Sequence, residues 1–237
     1  MLYAISDLHL SLTTDPEKIR KMDGFGEHWQ DHHLKIEENW RKTVSEEDTV
    51  LICGDVSWAQ ILPHFDNDAA FLMSLPGKKI ITRGNHDHYF QSSTKMNRLY
   101  PELKFLKNEM TEYISENGDI ICICSIKGSL CPNDYRFFDH DKKIYRREQI
   151  RLRTLLKRAT ERGYKHILLA IHYPVMNDKR EESGFIELIR EYGVKTVVYG
   201  HLHNKESHDK AMTGLIQGVQ YHLTSADYVN FTPVKIF

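Results

Sequence analysis

The chain has 237 residues, 32 Lys plus Arg against 33 Asp plus Glu, a formal charge of −1, and 14 histidines. At this length one domain with a sizeable core is expected, without disulfide or metal staples to hold it together. The balanced charge argues against a protein that coats nucleic acid or an anionic membrane, and apolar runs of at most five residues, as at 167–171, fall far short of the ~20 that span a bilayer.

Strand-like sequence begins at Leu2 and polar residues follow at Ser6-Asp7, which leaves no room for a secretion signal, so a cytoplasmic location is expected. Taken in chain order, the predicted strands are 2–6, 49–53, 79–82, 120–125, 166–171, 195–199, 219–224 and 234–237. A hairpin turn at Asn117-Gly118-Asp119 feeds the strand at 120 from a short one at 113–115. Helical patterns fall at about 30–45, 66–75, 142–161 and 183–191. Short β-branched runs alternating with helices predict an α/β fold with its sheets covered by helices. The segment at about 15–46 is expected to be a helical insertion within a single domain of residues 1–237.

Two features admit a functional and a plain reading. Cys122 and Cys124 form a C-x-C pair, but they lie in an apolar run, as Cys53 does, and are read as small core residues. Cys131 precedes Pro132 in a loop, and no disulfide is expected. The predicted helix 142–161 places Ile144, Leu152, Leu155, Leu156 and Ala159 on one face. It also carries Lys142, Lys143, Arg146, Arg147, Arg151, Arg153, Lys157 and Arg158. Spread round the outer arc and without interleaved aromatics, these are read as a solvated face rather than a nucleic-acid patch.

Five strands end alike, in an apolar run followed by metal-type polar residues. The ends are Asp7-Leu8-His9, Gly54-Asp55, Gly84-Asn85-His86-Asp87, His172-Tyr173-Pro174 and Gly200-His201-Leu202-His203. Ligands of open α/β sheets bind at the carboxyl ends of strands, so the five ends describe one site. Carboxylate, amide oxygen and imidazole together suit Mn²⁺, Fe²⁺ or Zn²⁺. Seven candidate ligands are too many for one tetrahedral ion that keeps a substrate position. They suit two ions, which at ~3.5–4 Å apart clamp the attacking and leaving oxygens of an in-line displacement. Gly54, Gly84 and Gly200 fit tight strand-to-loop turns where a side chain would obstruct.

Asp7-x-His9, Gly54-Asp55, Gly84-Asn-His-Asp87, His172 and Gly200-His-x-His203 resemble the five blocks of the calcineurin-like metallophosphoesterase superfamily, and they run across most of the chain. The resemblance implies a four-layer α/β/β/α sandwich of two mixed sheets, with two divalent ions (Mn²⁺, Fe²⁺/Fe³⁺ or Zn²⁺) at the sheet ends. It implies one ion held by Asp7, His9, Asp55 and His203, and the other by Asp55, Asn85, His172 and His201, with Asp55 bridging. It further implies hydroxide between the ions attacking a phosphate ester in line, with His86 as general acid and Asp87 orienting the His86 imidazole. A small phosphorylated substrate is then expected, without strong duplex nucleic-acid binding and without a membrane. A nuclease or cyclic-nucleotide phosphodiesterase of the same fold is the alternative within the class. A non-catalytic scaffold is the alternative outside it.

This chain departs from the family pattern at Trp58, where the second block often carries Asp, and it lacks the Arg-Gly continuation of the protein Ser/Thr phosphatases. The long gap from His9 to Asp55 is the insertion, expected to overhang the site and help choose the substrate. Within it His28 and His32 stand i, i+4 on a predicted helix, beside His33; an exposed helix start is preferred to a third metal site, with substrate contact next. Arg83, Arg136 and His32 are candidate substrate-binding residues. His88 is read as loop, and His64, His140, His166, His208 and His222 carry no spacing that argues for ligation.

Overall fold

Strands β1 (Leu2–Ile5) and β2 (Thr49–Cys53) are buried at every position, a pattern that requires cover on both faces of their sheet. The computed structural model describes residues 1–12 and 22–237. The first sheet adds β3 (Lys78–Thr82) and β4 (Leu103–Leu106) in parallel beyond β2, and β11 (Val234–Lys235) antiparallel to β1, in the order β11-β1-β2-β3-β4. The second comprises β5 (Met110–Ile114), β6 (Ile120–Ile126), β7 (His166–Ile171), β8 (Thr196–Tyr199), β9 (Gly214–Ile216) and β10 (Val219–Leu223), in the order β5-β6-β7-β8-β10-β9. Its four inner strands are parallel and its edges β5 and β9 antiparallel.

The sheets pack face to face through Leu2, Ala4, Leu51 and Cys53 on one side and Ile121, Ile123, Leu168, Ala170 and Val198 on the other. Helices α1 (His32–Thr43), α2 (Asp66–Ser74) and α3 (Ser93–Leu99) cover the outer face of the first sheet. Helices α4 (Asp139–Glu161) and α5 (Gly184–Glu191) cover the second. The result is the four-layer α/β/β/α sandwich of two mixed sheets. No described helix is long and apolar enough to cross a membrane.

Local chemistry explains most helix boundaries. Ser183 caps α5 by accepting the amides of Phe185 and Ile186, and Asp141 accepts the amide of Phe138 at the start of α4. Along α4 the buried stripe is Tyr145, Glu148, Leu152, Leu155, Leu156 and Ala159. Ile144, expected on that stripe, is half-buried, at the edge of the arc the stripe covers. Four short elements were not expected from the sequence: α3, β4, β9 and α6 (Lys205–Asp209). Each is too short to display a period, and β4 is defined by pairing with β3 rather than by its own pattern. The cysteines are all buried and unpaired, with Cys122 and Cys124 inside β6, as the core reading expects.

In the insertion, helix begins only at His32, after one-turn 3₁₀ segments at Asp23–Phe25 and Glu27–Trp29; residues 13–21 lie outside the described residues. Asp31 takes a left-handed conformation with φ 50°, so His28 and His32 do not share a helix. Met22, Trp29, Ile36 and Trp40 join the core of the first sheet, and Trp40 Nε1 donates to the carbonyl of Pro76 at 2.9 Å.

Hydrogen bonds stitch the two sheets together at one end. Ser6 N donates to Thr224 O (2.8 Å) and Ala226 N to Ser6 O (2.9 Å), while Thr224 N, donating to Tyr199 O (2.8 Å), extends the β10–β8 pairing. Beyond β1 and β2 the pairing continues through Asp7 N to Gly54 O (2.9 Å) and His9 N to Asp55 O (3.0 Å). Asp68 of α2 supports these loops from below, accepting from Leu12 N at 2.8 Å and from Ser57 Oγ. Burial raises its carboxyl to about 6, against the hydrogen bonds that favour the ion. A carboxyl raised in the folded state contributes stability below its unfolded value near 4 that is lost as pH climbs through 6. Asp68→Asn, which keeps an acceptor without the charge, should therefore gain stability over the parent by about 1 kcal/mol more at pH 7.5 than at pH 5. Urea melts at the two pH values measure this; equal differences would refute it.

Candidate metal centre

The five strand ends converge where the sheets are stitched. Asp7 and His9 follow β1, Asp55 follows β2 and His201 follows β8, and all four have left-handed backbones, with φ of 59°, 44°, 49° and 69°. Such values are costly for residues with a Cβ and persist where surrounding structure imposes them. The loops also approach too closely for side chains at two glycines. A Cβ on Gly84 would fall well inside contact distance of Asp55 Oδ1 and N, and one on Gly200 would collide with Asp7 Oδ2 and Ser6 Oγ.

Two groups of metal-type donors result. Asp7, His9 and His203 offer atoms within 4.8 Å of one another, and so do Asp55, His172 and His201. Asp55 Oδ2 stands between the groups, 3.3 Å from His172 Nε2 and 4.0 Å from His9 Nε2. Asn85 Oδ1 joins the second group at 2.9 Å from His172 Nε2. The Asp7 carboxylate accepts from Ser6 Oγ (2.6 Å) and from the backbone amide of His201 (3.0 Å), and Asp55 Oδ1 accepts from the amide of His86 (2.7 Å).

The ring partners decide where lone pairs point. His172 Nδ1 lies 3.0 Å from the carbonyl of Cys53, which can only accept, so Nδ1 carries the proton and Nε2 faces the oxygens of Asn85 and Asp55. His203 Nδ1 lies 3.1 Å from Asp227 Oδ1, which turns Nε2 toward Asp7 Oδ1 at 3.4 Å and His9 Nε2 at 3.3 Å. Burial pulls every one of these imidazoles toward neutrality and holds His9 and His201 down to about 3. At His172 the Asp55 carboxylate overrides burial and raises the ring to about 9, and at His203 Asp227 and Asp7 raise it to about 10. Burial would raise Asp7 and Asp55, but His203 and His172 respectively hold both well below the usual carboxylate range. Acceptor atoms thus converge on two points that demand positive charge. The mixture of carboxylate, imidazole and amide oxygen fits a pair of divalent transition ions.

Comparison with known proteins agrees with this geometry. The family model for calcineurin-like phosphoesterase matches residues 2–205. The chain belongs to the calcineurin-like phosphoesterases. Gene 66 protein of Mycobacterium phage D29 is 34% identical over 73 residues, a match that spans 30% of this chain and 36% of that protein. Among solved structures, calcineurin-like phosphoesterase YfkN from Bacillus subtilis superposes with a TM-score of 0.53 at 14% identity, covering 94% of this chain and 80% of that one. A protein of unknown function from Aquifex aeolicus gives a TM-score of 0.53 at 16% identity, covering 99% and 94%. At these identities the structures share the fold.

Around the donor groups of this family member, the other expected residues divide. His86 stands beside them, half-exposed, with Nε2 4.0 Å from Asp55 Oδ2 and its ring 4.5 Å from that of Trp58. Asp87 does not orient the His86 imidazole. Fully buried, it accepts the amides of Gly84 (2.8 Å), Asp55 (2.9 Å), Val56 (2.9 Å) and Ser57 (3.3 Å), because four N–H groups leave no reach for a ring at the surface. His32 is not a substrate residue either. It is buried with Nδ1 3.1 Å from Trp29 O and Nε2 3.0 Å from Leu8 O, tying the insertion to the Asp7–His9 loop. Among the described residues no third metal group includes His28, His32 or His33. Arg136 pairs with Asp134 at 3.2 Å and lines a separate cleft, while Arg83 lines a third depression beside Asn85.

Sequence reasoning missed Asp227. It holds His203 through Oδ1 and stands 3.5 Å from His208 Nε2 through Oδ2, so His208 belongs to the support of the centre. It lies in a loop after β10, where only the fold reveals the pairing. From the segment before α1, Phe25 and Trp29 pack edge-on against His203 at 5.6 and 5.5 Å. Trp58, at the position that departs from the family pattern, stacks on His9 at 4.7 Å. Asp227→Ala should weaken metal binding about 10–100-fold by freeing the His203 ring. Titration of metal-free protein with Mn²⁺ measures it; an unchanged affinity would remove Asp227 from the support of the centre.

Proposed function

We propose that this chain is a metal-dependent phosphohydrolase of small phosphorylated substrates. The observation that carries the reading is the placement of Asp55 Oδ2 between two donor groups, with half-exposed His86 at their mouth. Asp7, His9, Asp55 and His203 would hold one divalent ion; Asp55, Asn85, His172 and His201 would hold the other. Such ions supply a nucleophile at neutral pH and neutralise charge on the phosphoryl oxygens.

The chain's own residues do the rest. Asp227 and the Cys53 carbonyl keep the Nε2 atoms of His203 and His172 turned inward. Asp87 locks the Gly84 loop to the loop after β2, so that Asp55 and Asn85 keep their spacing. His86 is anchored through its amide on Asp55 Oδ1 and its ring lies against Trp58. Burial lowers its pKa while Asp55 opposes that, and its half-exposed ring at the mouth of the centre is placed to meet the leaving oxygen. Next to the centre, Tyr173 lies 4.1 Å from the His201 ring and borders a cleft of about 440 Å³ with Tyr135, Arg136, Met176 and Met212. That volume suits the organic part of a small substrate. The presence of all seven donors together with His86 supports an enzyme over a non-catalytic scaffold.

His86→Asn should lower kcat by about 10²–10⁴-fold and leave metal content near that of the parent. Asp55→Asn should abolish both. Metal analysis, with Mn²⁺-supplemented hydrolysis of p-nitrophenyl phosphate and bis(p-nitrophenyl) phosphate in parallel, tests the pair. Undiminished turnover in His86→Asn would end its role as acid, and no hydrolysis by fully loaded parent protein would favour the scaffold.

A further inference from the structure

A cleft of about 380 Å³ beside the metal centre is walled by five cations: Arg83, Lys107, Lys127, Arg147 and Arg151. They come from separate parts of the chain. Arg83, Lys107 and Lys127 directly follow β3, β4 and β6, and the two arginines stand one turn apart on α4. No carboxylate is among the lining residues. The nearest counter-charge is Glu148, fully buried behind the cleft, 2.6 Å from Arg151 and 3.5 Å from Arg147. Among the described residues Arg83, Lys107 and Lys127 make no ion pair, and Arg83 Nε is buried without a hydrogen-bond partner. Burial and the neighbouring guanidinium groups pull Lys107 and Lys127 below the ordinary lysine value. In a chain of net charge −1, five cations meet one carboxylate here, Glu148. The Gln91 carbonyl accepts from Lys107 Nζ at 2.9 Å and the Tyr173 ring lies 5.6 Å from Lys127 Nζ, so the like charge is only partly offset on the protein side.

The cleft shares a wall with the metal centre. Gly84 and Asn85 line it, and Asn85 Oδ1 is the oxygen 2.9 Å from His172 Nε2. Lys127 O accepts the amide of Tyr173, the residue after His172, at 3.1 Å. Among the described residues none of the five cations is hydrogen-bonded or ion-paired to the six residues of the two donor groups, so the donor set does not occupy them and they remain available to an anion in the cleft. Guanidinium forks flanked by ammonium groups match phosphate oxygens. We infer that the Arg83–Lys107–Lys127–Arg147–Arg151 cleft binds a second, unreacted phosphate of the same substrate molecule, which makes the substrate a small bisphosphorylated compound. The inference deepens the phosphohydrolase reading and, for the reaction, rests on it. The cations enclose a cleft rather than forming a stripe, which favours a small molecule over a polynucleotide backbone as the source of that phosphate.

The test uses the full chain, the double variant Lys127→Met/Arg147→Gln, and Lys127→Met alone in case the double variant fails to fold. Both variants leave Glu148 paired with Arg151. In the first arm, metal-free protein in EDTA is melted with millimolar inorganic phosphate. A Tm rise of a few degrees in the parent, about 2 °C or more, and its loss in the variants are expected. No rise in the parent, or a rise kept by the variants, overturns the anion site. In the second arm, Mn²⁺-loaded protein hydrolyses a nucleoside 3′,5′-bisphosphate and the matching 3′- and 5′-monophosphates. Parent kcat/KM should favour the bisphosphate by roughly 10–100-fold, and the preference should collapse in the variants. Equal kcat/KM values in the parent overturn the assignment to substrate. A single-stranded tetranucleotide cut in preference to the bisphosphate overturns the small-molecule source. If nothing is hydrolysed, the phosphohydrolase reading fails, while the metal-free arm still decides whether the cleft binds phosphate.

Discussion

Two carboxylates and four imidazoles share a buried pocket at the ends of strands from two different sheets, and much of the structure answers to that juxtaposition. Taking charges out of water costs several kcal/mol per ion unless partners and hydrogen bonds offset it. Here Asp7 accepts from the Ser6 hydroxyl and the His201 amide, and Asp55 from the His86 amide. The imidazoles of His172 and His203 opposite them complete the balance. Bringing the groups this close forces left-handed backbones at Asp7, His9, Asp55 and His201, and leaves no space for side chains at Gly84 and Gly200.

The supporting layer is as ordered as the donors. A single carboxylate, Asp87, gathers four amides from two loops and so couples the end of β2 to the end of β3. Burial and the Asp55 charge push it up to about 7, while the four N–H bonds act the other way. On the far side Asp227 joins His203 to His208. His32 pins the insertion to the backbone of Leu8, which places Trp29 and Phe25 over His203. The insertion is therefore part of the rim of the centre rather than an appendage.

Around that rim the protein offers two unlike surfaces. The cleft bordered by Tyr173 mixes aromatic, thioether and carboxylate side chains and suits an organic group. The cleft beside Asn85 is lined by five cations and no carboxylate and suits an anion. Tyr173 and Asn85 each touch a donor of the second group, His201 and His172 respectively. Substrate choice in this family member can therefore be built from contacts that leave the donor set untouched.

What was legible in the sequence was whatever depends on chain order. Apolar runs marked the long strands, and a polar block after each marked the donors, because side chains at strand ends inherit their position from the strand. Where the sequence fell short, the cause was contact between distant residues. Asp87 stands next to His86 in sequence, yet its carboxylate turns to the amides of the loop after β2. The arginines of α4 looked like a solvated face, because nothing in a helical period tells Arg147 and Arg151 that Arg83, Lys107 and Lys127 lie opposite. Asp227 and His208 carried no motif at all. The sequence by itself determined the fold class and the donor residues, since both follow from local pattern and from blocks tied to strand ends. Only the tertiary structure decided the second carboxylate of the His203 support, the role of Asp87 and the cationic cleft, since these are pairings across the chain, set by how the sheets and helices pack.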